Sequence, residues 1–211
     1  MLRYLHADEL HRHPKLADTM FRDRADQFAH RLKWDVTVQG EHERDEYDDI
    51  NPLYVIWQRG DGSHGGSMRF LPTTGATMVN DHFSHLSDGV KIASPFIWET
   101  TRFCLGRGAP NTVSAALMLG GLELGLGAGL SHAIGVFDTR MTRIYRRMGW
   151  GPTILGRDGP GRDAISVGLW DFDPRYRARL LSKAGLSRDV STYWHSRAFG
   201  AGRTPAVAEP A

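Results

Sequence analysis

The chain has 211 residues, of which 41% are hydrophobic and 24% charged, with a formal net charge of +2. That length suits one large domain with a substantial core, and so small a positive excess gives no ground for nucleic-acid binding. The sole cysteine, Cys104, excludes an intrachain disulfide and leaves any zinc site to histidine and carboxylate ligands, so a reducing cytoplasm is the expected compartment.

The opening MLRYLHADELHRHPK carries charges where a secretory signal needs an uninterrupted apolar run. From about Ala7 to Leu32 the pattern predicts one or two helices, with Pro14 at a break or a first turn. The runs LYVIWQ (53–58) and GSMRFL (66–71) predict strands joined by the hairpin signal RGDGSHGG, and FIWETTRFCL (96–105) predicts a third. GRGAPN then opens a helix from about Val113 to Gly125. Its apolar continuation, ALMLGGLELGLGAGL (116–130), is too short to span a bilayer and is interrupted by Glu123, which makes it a buried helix. HAIGVF (132–137) and AISVGLW (164–170) predict further strands, separated by the helical TRMTRIYRRMGW and the turn GRDGPGR. This order predicts a mixed sheet with helices packed on it. Residues 1–197 are expected to form one domain, and 198–211, with little to bury, a disordered tail.

Several charges stand where apolar residues belong. On the helical stripe Leu16, Met20, Arg24, Phe28, Leu32 the middle position is an arginine. Just downstream, Glu41, Glu43, Asp45, Glu46, Asp48 and Asp49 crowd together. Either this is a solvated acidic loop, or one or two of these acids turn inward to pair with arginines of the core, since a buried charge needs a partner. Strand alternation puts Met68 and Phe70 on one face and Ser67, Arg69 and Leu71 on the other. Glu99 and Arg102 have opposite parity in an otherwise core-forming strand, and a bulge between them would bring both into one cleft.

Taken together, Arg24, Phe28 and Trp34, then Asp45 and Asp48, then Arg69, and finally Glu99 and Arg102 form a spaced set. It resembles the signature of the acyl-homoserine-lactone synthases, the LuxI-type autoinducer synthases: R-x-x-x-F-x-x-x-x-x-W, D-x-x-D, a strand arginine, and E-x-x-R. The resemblance covers about residues 1–175 and includes Phe83. It implies an α/β (α+β) fold like that of the GNAT acyltransferases, with a mixed, V-split twisted sheet, helices on both sides, and the donor's pantetheine arm in the split. The implied reaction moves an acyl group from acyl carrier protein, or from acyl-CoA, to the amine of S-adenosylmethionine. Lactone closure then releases methylthioadenosine, with no permanently bound cofactor.

Carried onto this chain, the resemblance makes Glu99 the proton acceptor and Arg102 and Arg69 anchors for the methionyl carboxylate or for the acids Asp45 and Asp48. Arg24, Phe28, Trp34 and Phe83 are expected on the S-adenosylmethionine side, with Arg24 meeting Asp45 or Asp48. The acyl pocket is expected between the helix of residues 113–125 and the strand HAIGVF, with Leu117 and Phe137 in its lining. A bulky Phe137 where some relatives favouring 3-oxo chains have a threonine argues against such a chain, whereas Thr139 as the matching position would leave it open. Arg140, Arg143 and Arg147, at i, i+3, i+7 on one helix face, would dock an acidic carrier protein or simply face water. No metal is expected, because His11 and His13 have no partner at ligand spacing, and Cys104 reads as a packed thiol. LGRGAP keeps only part of the GNAT phosphate-loop glycine pattern, which weakens a coenzyme A reading. The competing readings are a GNAT-type acetyl-CoA-dependent N-acetyltransferase of a small amine and a non-catalytic binding protein. Neither a nucleic acid nor a membrane is an expected partner.

Overall fold

The computed structural model describes residues 1–161 and 164–200. In chain order the elements are β1 (Leu2–His6), α1 (Pro14–Ala25), β2 (Val38–Gln39), β3 (His42–Glu43), β4 (Leu53–Gln58) and β5 (His64–Pro72). Then come α2 (Met78–His82), β6 (Ile97–Leu105), α3 (Asn111–Gly127), β7 (His132–Asp138) and α4 (Met141–Met148). β8 (Thr153–Asp158), β9 (Ile165–Asp171), α5 (Arg177–Ala184) and α6 (Arg188–Phe199) complete the chain. Seven strands form one sheet in the order β1-β4-β5-β6-β7-β9-β8, and β2 and β3 make a separate ribbon. All neighbours in the large sheet are antiparallel except β6 and β7.

That one parallel pair opens the sheet. β6 and β7 share only Ile97↔His132, Trp98↔Ala133 and Glu99↔Ile134, after which β6 follows β5 to Leu105 and β7 follows β9 to Asp138. The result is the V-shaped split that the family resemblance implied. Gly135 sits at the fork, where a Cβ would lie 2.9 Å from the Thr100 carbonyl oxygen, so the two strands can stay close here only without a side chain.

Both faces of the sheet are covered, which is why β4 reads as a continuous apolar run rather than an alternating one. α3 is apolar on every side and packs Leu117 and Leu124 with Leu2, Val55 and Phe70. Its approach is close: a Cβ at Gly120 would meet Val55 at 2.6 Å. On the opposite face α1 packs Leu16, Met20 and Phe21 over Tyr54 and Ile56.

Four elements differ from the sequence reading. β1, five residues carrying Arg3 and His6, is an edge strand that pairs only with β4, and β8 is a largely exposed edge strand that reads as turn. The helix expected up to Leu32 ends as an α-helix at Ala25 and continues as a π-turn over Asp26–Arg31. α6 runs through Phe199, which is buried against Tyr4, so residues 198 and 199 of the expected tail belong to a helix; residues 201–211 lie outside the described residues. Among the described residues no helix is long and apolar enough to cross a membrane.

Candidate active site

Arg24 has a complete set of partners. It is 1% exposed, and its Nε donates to Glu43 at 2.6 Å while Nη1 and Nη2 donate to the two oxygens of Asp48 at 2.9 and 2.8 Å. Arg69 donates through Nε to Thr101 (3.0 Å), through Nη1 to Asp45 and Asp48, and through Nη2 to Asp45 at 2.9 Å. Arg102 reaches Glu43 through Nε at 3.1 Å and through Nη2 at 2.9 Å, and Asp45 through Nη2 at 2.7 Å. Three guanidinium groups thus meet three carboxylates, and a buried network of this kind persists only when every member is paired. Burial pushes the Asp48 carboxyl up, but the charges of Arg24 and Arg69 outweigh it and hold the group far below the usual carboxylate range.

The backbone explains why these groups converge. Tyr54, Arg69 and Thr101 stand in one cross-strand row on the face that carries α1, and the Tyr54 hydroxyl donates to Asp48 at 2.5 Å. The pairing of β5 and β6 shifts between Ser67 and Arg69, opposite Arg102, whose φ of 53° is left-handed. This is a bulge three residues after Glu99, and it turns the guanidinium of Arg102 towards the acids. The acids come from β3 and the short turn Glu46–Asp48, capped by the side chain of Asp45.

Glu99 is placed differently. Its two oxygens accept from the first N–H groups of α2, Met78 at 3.0 Å and Val79 at 2.6 Å. Burial raises its pKa to about 7 against the lowering effect of those two bonds. Met78 ties the two motif residues together: its N–H holds Glu99, and its sulfur lies 3.7 Å from Nη1 of Arg102.

Two cavities meet at this point. The larger, about 640 Å³, fills the split of the sheet and is lined by apolar groups including Met118, Tyr145 and Trp170. The smaller, about 580 Å³, lies on the α2 face with Asp45, Tyr47, His82 and Phe83 in its wall. They share Trp34, Met78, Arg102, Val136, Phe137 and Asp138. Glu99 lines neither and backs the shared wall through Met78.

The π-turn builds the aromatic part of that wall. A left-handed Lys33 and a 2.9 Å bond from the Trp34 N–H to the Phe28 carbonyl fold the chain back, stacking Trp34 on Phe28 with ring centroids 5.2 Å apart. Phe28 faces the larger cavity and has Arg102 over its ring at 5.4 Å, while Trp34 faces both cavities. Gln27, absent from the sequence reading, pairs with the free edge of β6: its amide donates to the Phe103 carbonyl at 2.9 Å and accepts from the Leu105 N–H at 3.3 Å.

Leu117 is not in either lining. It packs in the core beneath β5, and its neighbour Met118 lines the larger cavity instead. Arg140 lies just before α4 and turns back onto Asp138, donating through Nε at 2.9 and 3.0 Å, whereas Arg143 and Arg147 are exposed on the helix together with Arg146. The stripe expected at 140, 143 and 147 is therefore broken at its first member. Cys104 is fully buried, and burial pushes its thiol pKa up, which suits packing. No group of histidine, cysteine and carboxylate side chains suited to a metal ion occurs among the described residues.

A mixed sheet split at its single parallel pair, with an apolar cavity in the split, is the fold of the GNAT-type acyltransferases. The fold matches an acyl-CoA N-acyltransferase from Pseudomonas aeruginosa at a TM-score of 0.54 and 15% identity, covering 81% of this chain and 99% of that one. The autoinducer synthase family model matches residues 8–175, and the chain belongs to that family, the acyl-homoserine-lactone synthases. An acyl-homoserine-lactone synthase of Rhizobium etli is 43% identical over 195 residues, 89% of this chain and 91% of that protein. In fold the chain also matches BjaI, a CoA-dependent acyl-homoserine lactone synthase solved with SAM and isopentyl-CoA. There the TM-score is 0.79 and the identity 22%, over 92% of this chain and 98% of that one.

Proposed function

We propose that this synthase joins an acyl group from acyl carrier protein to the amine of S-adenosylmethionine, closes the lactone and releases methylthioadenosine. The observation that carries this reading is the pair of cavities, one apolar and one charged, meeting at Trp34, Met78, Arg102, Val136, Phe137 and Asp138. The acyl thioester takes the larger cavity, with Phe137, Met118 and Trp170 around the chain. S-adenosylmethionine takes the smaller, where Trp34 and Phe83 offer aromatic surfaces to the adenine and sulfonium.

At the junction the amine nitrogen attacks the thioester carbonyl, the carbon–sulfur bond breaks, and the donor leaves as a thiol. The amine proton passes through water to Glu99, whose pKa of about 7 matches a base working near neutrality. Arg102 holds the methionyl carboxylate through Nη1, supported by Arg69, Asp45 and Asp48 behind it. One carboxylate oxygen then displaces the sulfonium, the carbon–sulfur bond to methylthioadenosine breaks, and the lactone closes; positioning carries much of this step. Arg24 acts from behind, fixing Glu43 and Asp48.

The exposed Arg143, Arg146 and Arg147 on α4 and Arg179 on α5 favour an acidic carrier protein as donor. A sole, buried cysteine accords with work in the cytoplasm. The test is methylthioadenosine release by the purified protein with S-adenosylmethionine and a panel of acyl-carrier and acyl-CoA donors, with products identified by mass. The proposal expects an acyl-homoserine lactone in step with methylthioadenosine and turnover from the carrier-bound donor. No release from any donor, with amine acetylation by acetyl-CoA instead, would overturn it.

A further inference from the structure

We infer that Asp138 receives the ammonium group of the co-substrate and, facing Arg102 across the junction of the two cavities, reads its amino-acid end as a zwitterion. This deepens the proposed reaction and rests on S-adenosylmethionine binding in the smaller cavity.

The acids around that cavity differ in what they have left to offer. Asp45 has both oxygens committed to Arg69 and Arg102, and Glu43 and Asp48 lie behind the wall, held by arginines. Glu46 and Asp35 line the cavity but are exposed at its rim. Asp138 alone among the lining acids belongs to both cavities, and its side chain is 13% exposed.

Strand alternation sets its direction. Val136 and Asp138 share the face of β7 that looks towards α2, with Ile134 behind them, while Phe137 points to the other side with Tyr145 and Trp170. β7 has no partner on its β6 side beyond Ile134, so Asp138 stands in the open arm of the V.

Arg140 grips Asp138 from the turn: its backbone N–H donates to Oδ1 at 3.0 Å and its guanidinium to both oxygens. This keeps the group ionised, with its pKa held below the usual value by those bonds, and fixes its rotamer. A carboxylate offers about four lone-pair sites. Three N–H groups of Arg140 meet Asp138, its Nε–H shared between both oxygens, which leaves room for one further donor, whereas Asp45 already faces four, from Tyr47, Arg69 twice and Arg102. Across the junction, Nε and Nη2 of Arg102 are committed to acids, whereas the contact recorded for Nη1 is with the Met78 sulfur. Nη1 can therefore take the α-carboxylate while Asp138 takes the α-ammonium.

The test uses Asp138→Asn, which keeps an oxygen to accept from the Arg140 N–H and removes the charge. With lactone formation as readout, KM for S-adenosylmethionine should rise about 10-fold or more while KM for the acyl donor stays unchanged. A merely structural role in the turn would move both constants or neither, and either result would overturn the inference. A second measurement needs no variant. S-adenosylhomocysteine should bind the unaltered protein at least about 10-fold more tightly than its analogue lacking the α-amino group. Equal binding overturns the role of Asp138 even where lactone is made. Amine selectivity that disappears in Asp138→Asn, in a protein that makes no lactone, would support Asp138 while removing the proposed reaction.

Discussion

Two sets of arginines in this molecule live under opposite rules. Arg24 and Arg69 are 1% and 0% exposed, and every guanidinium nitrogen of each is bonded to a carboxylate or a hydroxyl. Arg143, Arg146 and Arg147 on α4 are exposed and carry no ion pair among the described residues. The difference teaches what each set can do. A buried guanidinium that lost its acids would leave uncompensated charge, so the first set fixes geometry and is costly to disturb. An exposed one contributes little to stability and much to the field that an approaching partner meets.

The sharpest way to break this comparison is Arg69→Met. It strips Asp45 and Asp48 of a shared partner inside the protein, and thermal or urea unfolding should show a loss of about 3–5 kcal/mol. Next is Glu99→Gln, which should lower kcat about 100-fold while KM for S-adenosylmethionine changes little. In the unaltered protein kcat should rise as pH passes through about 7, because the accepting carboxylate must be ionised, and the variant should lose that limb.

Stability responds to the same group with a definite sign. A carboxyl whose pKa is raised on folding costs nothing while both states are protonated. The unfolded chain ionises first, so the protein loses stability as pH climbs from about 4.5 to about 7 and levels off above. Glu99→Gln should flatten that decline in denaturant melts taken across the window.

Gly135→Ala comes third. Its Cβ would press on the Thr100 backbone at the fork, for about 1–3 kcal/mol of destabilisation and a shift of the two arms visible in a crystal structure. The smallest stability effect is expected for Arg143→Glu with Arg147→Glu, within about 0.5 kcal/mol. That pair should nevertheless slow turnover with carrier-bound donor, and raised salt should produce the same slowing in the unaltered protein. Turnover with acyl-CoA should be spared.

The sequence made the buried network legible through misfit. An arginine on an apolar stripe and an unbalanced run of acids each need an explanation, and they explain each other. Glu43, which bridges Arg24 and Arg102, escaped because the D-x-x-D spacing holds only Asp45 and Asp48, although Glu43 stands in the same acidic run. Met78 gave no signal, since an apolar residue opening a five-residue helix looks like any other. Leu117 was misplaced by one residue because α3 is apolar on all sides, and no polar face marks which positions look into the cavity. Gln27 was invisible for another reason: its two bonds go to the backbone of β6, and an edge freed by a split sheet exists only in three dimensions. The strands of the core were read closely, whereas β1 and β8 were not, because an edge strand covered on one side needs little apolar patterning.

Met78 links the two halves of the motif mechanically. Its backbone steadies Glu99 and its side chain touches Arg102, so a substrate that displaces this residue alters both at once. Lengthening the bond from its N–H removes part of what holds the Glu99 proton affinity down, and the carboxylate becomes a stronger base. The two motif residues thus share one mechanical neighbour, and a change at Met78 reaches both.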